Sequence, residues 1–197
     1  RGPSRLPSIS QMASPRAALS PAQAAVVEYA RSARANLFLT GPAGTGKTTV
    51  TRALLDQLPN AAVLAPTGVA AMQAGGQTLH SFFRLPPRLI TPADIKRLRG
   101  ARAIRALSTL VIDEISMVRA DLMQGVDYAL RLNRGIDAPF GGVQMIVVGD
   151  LAQLPPVVRG EEAGFLEEHF GGPFFFHAPA FREAGFVMAE LSEIHRQ

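Results

Sequence analysis

Short apolar runs alternate along the chain with longer stretches in which apolar residues recur at helical spacing. Three runs, at residues 37–39, 109–112 and 143–148, are almost continuously aliphatic or β-branched. This pattern is typical of strands buried on both faces of a parallel sheet. Residues 49–58, which follow the first run, have helical character. The alternation predicts an α/β fold in which helices cover both faces of a parallel sheet.

A first helix is predicted to begin after Ser20. Ser20, Pro21 and Gln23 match an N-cap, a proline in the first turn and the second member of a capping box. Residues 1–18 are rich in Arg, Pro, Ser and Ala and do not begin with Met, so we expect a flexible leader or an expression scar. Residues 19–197 are expected to form one domain, which at this length buries about 70% of its unfolded surface.

Residues 41–48 read GPAGTGKT and lie between a predicted strand and a predicted helix. In that context the pattern is typical of a loop whose backbone N–H groups surround a phosphate at a helix N-terminus. Lys47 adds a charge for the terminal phosphates, and Thr48 offers a hydroxyl to magnesium. The motif predicts a nucleoside triphosphate ligand; the alternative is a glycine turn that only caps a helix. The candidate binding residues are Gly41, Pro42, Ala43, Gly44, Thr45, Gly46, Lys47, Thr48 and Thr49.

Asp113 and Glu114 follow the second apolar run directly. They are expected at the carboxyl end of a parallel strand, where open α/β sheets bind their ligands. Asp113 is the candidate magnesium ligand. Glu114 is the candidate base for a water that attacks the γ-phosphate, which favours an ATPase over a kinase. The alternative is a pair of solvated acids ahead of a helix that starts near Ser116.

The third run leads into the segment GDLAQLPP, in which Gln153 is the candidate chemical group. Its amide has a donor and an acceptor, so it can bond a γ-phosphate oxygen or the attacking water. The alternative is a polar turn before a proline stop.

Composition excludes several classes of protein. The chain has no Cys and four scattered His, which excludes a disulfide scaffold and thiolate metal sites. No apolar stretch approaches the about 18 residues of a membrane span, and no secretory signal is evident. We expect an intracellular protein without a membrane partner.

Charge is concentrated in residues 84–105, here called the basic segment. It has a net charge of +6 in a chain of +4, which favours contact with a nucleic-acid backbone. The alternative is a solvated basic helix face. Its basic residues are Arg84, Arg88, Lys96, Arg97, Arg99, Arg102 and Arg105.

Residues just before the basic segment combine a helix start with hydrogen-bonding and aromatic side chains. Thr67, Gly68 and Val69 are candidates to hold a strand phosphate at a helix N-terminus. His80, Ser81 and Phe82 are candidates for an unpaired base. The alternative for Phe82 and Phe83 is burial in the core.

Five motifs occur in a fixed order: GPAGTGKTT, LAPTGVAAMQAGGQTLHSFF, LVIDEISMV, VGDLAQLPPV and EIHRQ. Together, over residues 19–197, they resemble the first RecA-like domain of superfamily 1 DNA helicases of the petite-integration-frequency (PIF) family. RecD-like helicases share the phosphate loop, the Asp-Glu pair and the GD-x2-QLPP element. The sequence TLHSF favours the PIF branch. The resemblance implies a P-loop NTPase fold of RecA type that uses ATP and magnesium.

The resemblance also assigns roles to single residues. Gln23 falls where that family reads adenine, while capping remains the competing explanation. Gln153 and Arg196 match residues that contact the γ-phosphate, and Lys47, Thr48, Asp113 and Glu114 keep the roles given above. Residues 67–69 and 80–82 match segments that contact DNA.

By the same resemblance, the whole protein is a helicase that moves 5′ to 3′ on single-stranded DNA and opens duplex junctions. Such helicases bind ATP between two RecA-like domains, and the second domain supplies a further arginine. Residues 1–197 alone are therefore expected to be nearly inactive. A monomer is expected, cytoplasmic if bacterial and nuclear or mitochondrial if eukaryotic, with roles in DNA repair, DNA recombination and telomere maintenance. A nucleotide-sensing module and a small-molecule kinase remain as alternatives from other classes.

Overall fold

The computed structural model describes residues 18–193, which form one sheet flanked by helices. The helices are α1 (Pro21–Ala33), α2 (Lys47–Gln57), α3 (Gly68–Ala74), α4 (Leu79–Phe83), α5 (Arg102–Ala106), α6 (Ala120–Arg134), α7 (Gly160–Phe170) and α8 (Pro179–Ala184). The strands are β1 (Leu37–Thr40), β2 (Ala61–Ala65), β3 (Gln77–Thr78), β4 (Thr109–Ile112), β5 (Gln144–Gly149) and β6 (Val187–Glu190). The three predicted strands are confirmed to within one residue. The predicted helix at residues 49–58 begins earlier, at Lys47.

All strand pairs are parallel, in the order β3-β2-β4-β5-β1-β6. The three strands predicted from sequence are neighbours at the centre, with Thr40 opposite Gly149 and Ile112 opposite Val147. Because parallel strands share their direction, the loops that follow β1, β4 and β5 leave the same edge of the sheet. This edge brings the phosphate loop, the Asp-Glu pair and the Gln153 turn together.

Alternate residues of the central strands pack into two cores on opposite faces. On β4, Leu110 and Ile112 belong to the core that includes α6, whereas Val111 belongs to the core of α1 and α2. Strand residues buried on both faces explain the continuous apolar runs. The α/β fold with helices on both faces is therefore confirmed.

Helix α6 holds the buried carboxylate of Asp127, which is fully covered. Asp127 accepts hydrogen bonds from Arg131 Nε at 2.9 Å, Gln124 Nε2 at 3.1 Å and the Phe140 backbone at 2.6 Å. Arg131 also pairs with Asp137, whose side chain is 98% exposed. The Asp127 charge is thus matched by a cation and by neutral donors.

Arg119 organises a second group of charges at the start of α6. It pairs with Asp121 at 2.8 Å and with Glu162 of α7 at 3.0 Å. Asp121 also accepts from the Ile90 backbone N–H at 2.8 Å. These bonds link the start of α6 to α7 and to the backbone at Ile90. None of the helices within residues 18–193 is long and apolar enough to cross a membrane.

Candidate functional site

The phosphate loop closes tightly on the last strand. Gly41 has φ +149°, and a Cβ placed there would lie 2.4 Å from the Leu191 carbonyl oxygen. Both the backbone conformation and the close approach therefore require glycine at this position. The loop ends at Gly46, the N-cap of α2, so its N–H groups gather at the positive end of an 11-residue helix.

Lys47 and Thr48 open helix α2 at the mouth of this loop. Lys47 Nζ donates to the carbonyl oxygens of Gly41 at 2.5 Å and Pro42 at 3.0 Å. Thr48 is exposed, whereas Thr45 is buried and donates its hydroxyl to Pro42 O at 2.9 Å. The ammonium and the Thr48 hydroxyl are thus available at the end of the loop where an anion is favoured.

Asp113 and Glu114 lie at the carboxyl end of β4, as predicted. Glu114 has φ 53° and ψ 45°, a left-handed conformation that costs about 1–3 kcal/mol for a non-glycine residue and concentrates at functional sites. Asp113 Oδ1 accepts the Glu114 N–H at 2.9 Å. Partial burial raises the pKa of Asp113, and the pKa of Glu114 is raised by burial and then by the Asp113 charge. Lys47 opposes both shifts.

The alternative of solvated acids before a helix near Ser116 is wrong in its geometry. Residues 115–117 form a single 3-10 turn, and α6 begins only at Ala120. Ser116 is buried, and Asp113 and Glu114 are partly buried. Perturbed carboxylates in a cleft are typical of functional sites.

Gln153 sits in a turn built by Asp150. Asp150 Oδ1 accepts the Ala152 N–H at 2.9 Å, and its backbone oxygen accepts the Gln153 N–H at 3.0 Å. The polar-turn alternative thus describes the backbone correctly, while the Gln153 side chain lines the cleft. A Cβ on Gly149 would lie 2.9 Å from Ile115 Cγ2. Glycine there lets the Gln153 turn pack against the loop of Glu114.

Gln23 is 4% exposed and uses both ends of its amide. Its Oε1 accepts the Ser20 N–H at 2.9 Å, and the Gln23 N–H donates to Ser20 Oγ at 3.3 Å. The predicted capping box is confirmed. Gln23 Nε2 also donates to Thr45 O at 3.1 Å, a link to the phosphate loop that sequence reasoning missed. Helix α1 is therefore fastened to the loop through this one side chain.

These elements enclose a cleft of about 820 Å³, here called the main cleft. Gln23, Lys47, Thr48, Asp113, Glu114 and Gln153 all line it. Sequence reasoning missed five lining residues, because their approach depends on packing between distant segments: Ala18, Leu19, Ser20, Ala70 and Gln73. Ala18 falls within the predicted leader. Residues 1–17 lie outside the described residues, as does Arg196.

Thr48 and Asp113 are the candidate oxygen donors for magnesium in the main cleft. Within residues 18–193, no group of three or more His, Cys, Asp or Glu is placed to hold a metal ion. Magnesium in nucleotide sites is typically bound through one or two protein oxygens, several waters and the phosphates themselves. A hydroxyl and a carboxylate beside a phosphate loop fit that requirement.

The residues predicted to contact DNA divide between two grooves. Thr67 and His80 line one of about 200 Å³, here called the Thr67 groove, whereas Ser81 and Phe82 line one of about 260 Å³, here called the Phe82 groove. His80 and Phe82, both candidates for contact with an unpaired base, thus line different grooves. The reason is that α4 is little more than one turn, and successive residues of a helix point about 100° apart.

Thr67 caps helix α3, and its Oγ1 accepts the Ala70 N–H at 3.2 Å. Gly68 and Val69, the first two residues of α3, are exposed, so the predicted helix start is confirmed. In the same groove, burial and then the Arg119 charge lower the pKa of His80. The Thr67 groove therefore combines the N-cap of α3 with an imidazole whose pKa is lowered.

Phe82 and Phe83 have different environments. Phe83 is 3% exposed and belongs to the core, as the alternative predicted, whereas Phe82 is half-buried and meets it edge to face at 4.9 Å. One side of the Phe82 ring is therefore fixed by the core.

The basic segment is not a helix, so the alternative of a basic helix face is wrong. It contains only a 3-10 turn at Pro92–Asp94 and the start of the five-residue α5. Arg88 is neutralised by Asp94 through hydrogen bonds of 2.5 and 3.0 Å. Arg84, Arg99 and Arg102 are exposed and form no ion pair within residues 18–193. These three guanidinium groups retain their charge for a partner.

Comparison with known proteins decides the family. The model of the PIF1-like helicase family matches residues 18–167, about three quarters of the chain. The chain belongs to the PIF1-like helicase family. The ATP-dependent DNA helicase PIF1 of Mus musculus is 37% identical over 193 residues, which cover 95% of this chain and 28% of the mouse protein. The ATP-dependent DNA helicase Pif1 of Psychrobacter is 37% identical over 82% of this chain and 25% of its own length.

Solved PIF1-like helicase structures share the fold. Bacteroides Pif1 in complex with ADP-AlF4 is 41% identical, with a TM-score of 0.85 over 92% of this chain and 43% of that chain. Bacteroides Pif1 bound to single-stranded DNA gives a TM-score of 0.84 at the same identity and coverage. The present chain thus spans less than a third of these curated PIF1-like relatives and less than half of these solved chains.

Proposed function

We propose that residues 19–197 are the first RecA-like motor domain of an ATP-dependent DNA helicase. The observation that carries the proposal is the meeting of three strand-end loops around one main cleft that holds Lys47, Asp113, Glu114 and Gln153. Membership of the PIF1-like helicase family supports it. The chain spans 28% of the mouse relative. We therefore propose that the full-length protein contains the remaining parts of the motor, including a second RecA-like domain.

In this proposal ATP lies in the main cleft. Its phosphates bind the N–H groups of residues 41–46 and the ammonium of Lys47. Gln23 recognises the adenine through the one N–H and the one oxygen lone pair that its bonds to Thr45 and Ser20 leave free. Magnesium is held by Thr48 and Asp113, and when bound it supplies positive charge that neutralises the phosphate oxygens. A relative of the same fold that was solved in complex with ADP-AlF4 supports the binding of a nucleotide.

Hydrolysis is proposed to use Glu114 as the base that accepts a proton from the attacking water. The raised pKa of Glu114, caused by burial and then by the Asp113 charge, brings it closer to the range in which a carboxylate accepts protons effectively. Gln153 contacts the γ-phosphate or this water, and Arg196 provides a further γ-phosphate contact. The protein then converts each cycle into movement along DNA, 5′ to 3′.

The proposed partners are single-stranded DNA and duplex junctions. A relative is bound to single-stranded DNA, and another structure concerns unwinding at forked duplex DNA by two coordinating Pif1 helicases. Phosphates of the strand bind at Thr67, Gly68 and Val69 with His80 beside them, and a base contacts Ser81 and Phe82. We propose a monomer, cytoplasmic in a bacterium and nuclear or mitochondrial in a eukaryote.

The deciding experiment is ATP hydrolysis by the full-length protein, measured with and without single-stranded DNA and followed by product analysis. We expect magnesium-dependent release of phosphate that DNA stimulates, together with unwinding of forks that carry a 5′ single strand. Binding without hydrolysis would favour a nucleotide-sensing module. Transfer of the phosphoryl group to a small acceptor would favour a kinase.

A further inference from the structure

Ser116 carries a buried hydroxyl that no role described above explains. The residue is 2% exposed, and its Oγ has no hydrogen-bond partner within residues 18–193. Buried hydroxyl groups in folded proteins are nearly always paired, because leaving one unpaired costs stability. An unpaired hydroxyl on a residue that lines a functional cavity is therefore a candidate for a partner acquired during function.

The surroundings of Ser116 identify that partner. Ser116 lines a second cavity of about 480 Å³, here called the side cavity, together with Glu114 and Gln153. The other lining residues of this cavity are Met117, Ala152, Leu154 and Pro155. Met and Pro side chains and short aliphatic ones offer no strong hydrogen-bonding group. Glu114 and Gln153 are therefore the available side-chain partners.

Gln153 fits the Ser116 hydroxyl better than Glu114 does. Gln153 is exposed, so its side-chain amide is free to turn toward a partner. It stands on the turn that Gly149 allows to approach Ile115, and a Cβ at Gly149 would also lie 3.4 Å from the Ser116 nitrogen. Glu114 lines the main cleft as well as the side cavity and is the proposed base there, which leaves Gln153 as the partner. Ser116 and Gln153 thus line one cavity from two adjacent turns.

We propose that Ser116 is a positioning residue that orients Gln153 for hydrolysis. Ser116 Oγ accepts a hydrogen bond from Gln153 Nε2, which leaves Gln153 Oε1 to accept from the attacking water. This inference rests on the proposed ATPase function and adds a residue to the site. Ser116 acts only through Gln153.

The test compares two buried hydroxyl groups in the full-length protein. Thr51 Oγ1 is also buried without a partner within residues 18–193 but lines neither cavity, so Thr51→Val is the matched control for Ser116→Ala. We expect Ser116→Ala to lower kcat for DNA-stimulated ATP hydrolysis roughly tenfold with KM for ATP unchanged. Thr51→Val should keep both constants. Both variants should melt at or above the parent temperature, because each loses an unpaired hydroxyl.

A double-mutant cycle with Gln153→Ala tests whether Ser116 acts on kcat through Gln153. We expect Ser116→Ala to cause no further loss of kcat once Gln153 is replaced. Parent-like kcat in Ser116→Ala, an equal tenfold loss in both backgrounds, or a lowered melting temperature that accompanies the loss would each overturn the inference. Failure of the proposed function itself is distinguishable, because the parent protein would then show no DNA-stimulated turnover.

Discussion

Helix α6 and the main cleft both hold carboxylates away from water, but the two regions give them different partners. On α6, Asp127 is matched by Arg131 and by two neutral donors. In the main cleft, Asp113 and Glu114 lie side by side, and burial together with their mutual repulsion raises the pKa of Glu114. The Asp127 carboxylate forms an ion pair within the fold, whereas Asp113 and Glu114 form none within residues 18–193.

This difference separates structural from functional residues. A buried carboxylate with matched donors stabilises the packing around it, and it is costly to disrupt. Neighbouring carboxylates with raised pKa values and a nearby unsatisfied hydroxyl are instead ready for a ligand that supplies charge and donors. The comparison predicts that substitutions in the cleft change chemistry with little loss of stability, and that substitutions at α6 do the reverse.

The largest expected effect is on nucleotide affinity. Lys47→Ala removes the ammonium at the phosphate loop, and loss of one partner of a hydrogen-bonded charge pair costs about 2–5 kcal/mol. We expect affinity for magnesium-ATP to fall roughly a hundredfold or more in calorimetric titration. Lys96, the only other lysine, is exposed in the basic segment, so Lys96→Ala is the control. An equal loss of affinity in both variants would contradict a specific role for Lys47 in the main cleft.

At α6, the expected effect is on folding. Asp127→Ala leaves Arg131 without its buried partner, and breaking such a pair typically costs about 3–5 kcal/mol. Asp137 pairs with the same Arg131 from the surface, and we expect Asp137→Ala to cost about 1 kcal/mol or less. Denaturant unfolding measures both values. An Asp127→Ala protein as stable as the parent would show that the paired carboxylate does not stabilise the fold.

The dependence of stability on pH should have opposite signs at paired and unpaired glutamates. The raised pKa of Glu114 means that the folded state loses stability as pH rises through that value, so Glu114→Gln should melt above the parent at neutral pH. The hydrogen bond from the Arg159 backbone, with Arg119 nearby, lowers the pKa of Glu162. Glu162 therefore stabilises the fold above its unfolded pKa, and Glu162→Gln should melt below the parent at neutral pH.

Melting curves of the two variants and the parent, recorded from acidic to neutral pH, test these signs. Both differences from the parent should vanish as pH falls, because each glutamate then becomes protonated like its amide replacement. The Glu162 difference should persist to lower pH, since the pKa of that group is lowered. Differences of the same sign at neutral pH would contradict the account.

The smallest expected effect is on the salt dependence of DNA binding. Arg99 and Arg102 are exposed and form no ion pair within residues 18–193, whereas Arg88 is neutralised by Asp94. If Arg99 and Arg102 bind phosphates, replacing both with Ala should make the slope of log K against log salt shallower by roughly 0.7 for each phosphate that is no longer neutralised. Arg88→Ala should change the slope less, and Phe82→Ala should weaken binding without altering it. An unchanged slope in the Arg99 and Arg102 variant would leave the basic segment as solvated surface.

Much of the main cleft could be predicted from the sequence because its residues are fixed by local structure. The Ser20–Gln23 capping box depends on four consecutive residues, and Asp113 follows an unmistakable strand. Parallel strands then bring such loops to one edge of the sheet whatever their order along the chain. This rule predicts that Lys47 and Asp113 lie near each other although they are far apart in the chain, and both line the main cleft.

Features that depend on packing between distant segments, or on the direction in which a helix residue points, were missed. The bond from Gln23 to Thr45 joins residues 22 positions apart, and neither residue carries a sign of it in the sequence. His80 and Phe82 line different grooves, because nearby residues of a single helical turn point in different directions. Whether neighbouring residues of a motif lie on one surface can be predicted only when their secondary structure is known.

The most direct test of the account is ATP turnover by two glutamine variants of the full-length protein. Glu114→Gln removes the unpaired glutamate of the main cleft, and Glu162→Gln removes one that is paired with Arg119. We predict that Glu114→Gln lowers kcat by roughly a hundredfold or more while retaining affinity for ATP, as expected for loss of a positioned base. Glu162→Gln should retain the parent kcat. Parent-like turnover in Glu114→Gln, or an equal loss in both variants, would contradict the assignment of the unpaired carboxylates to catalysis.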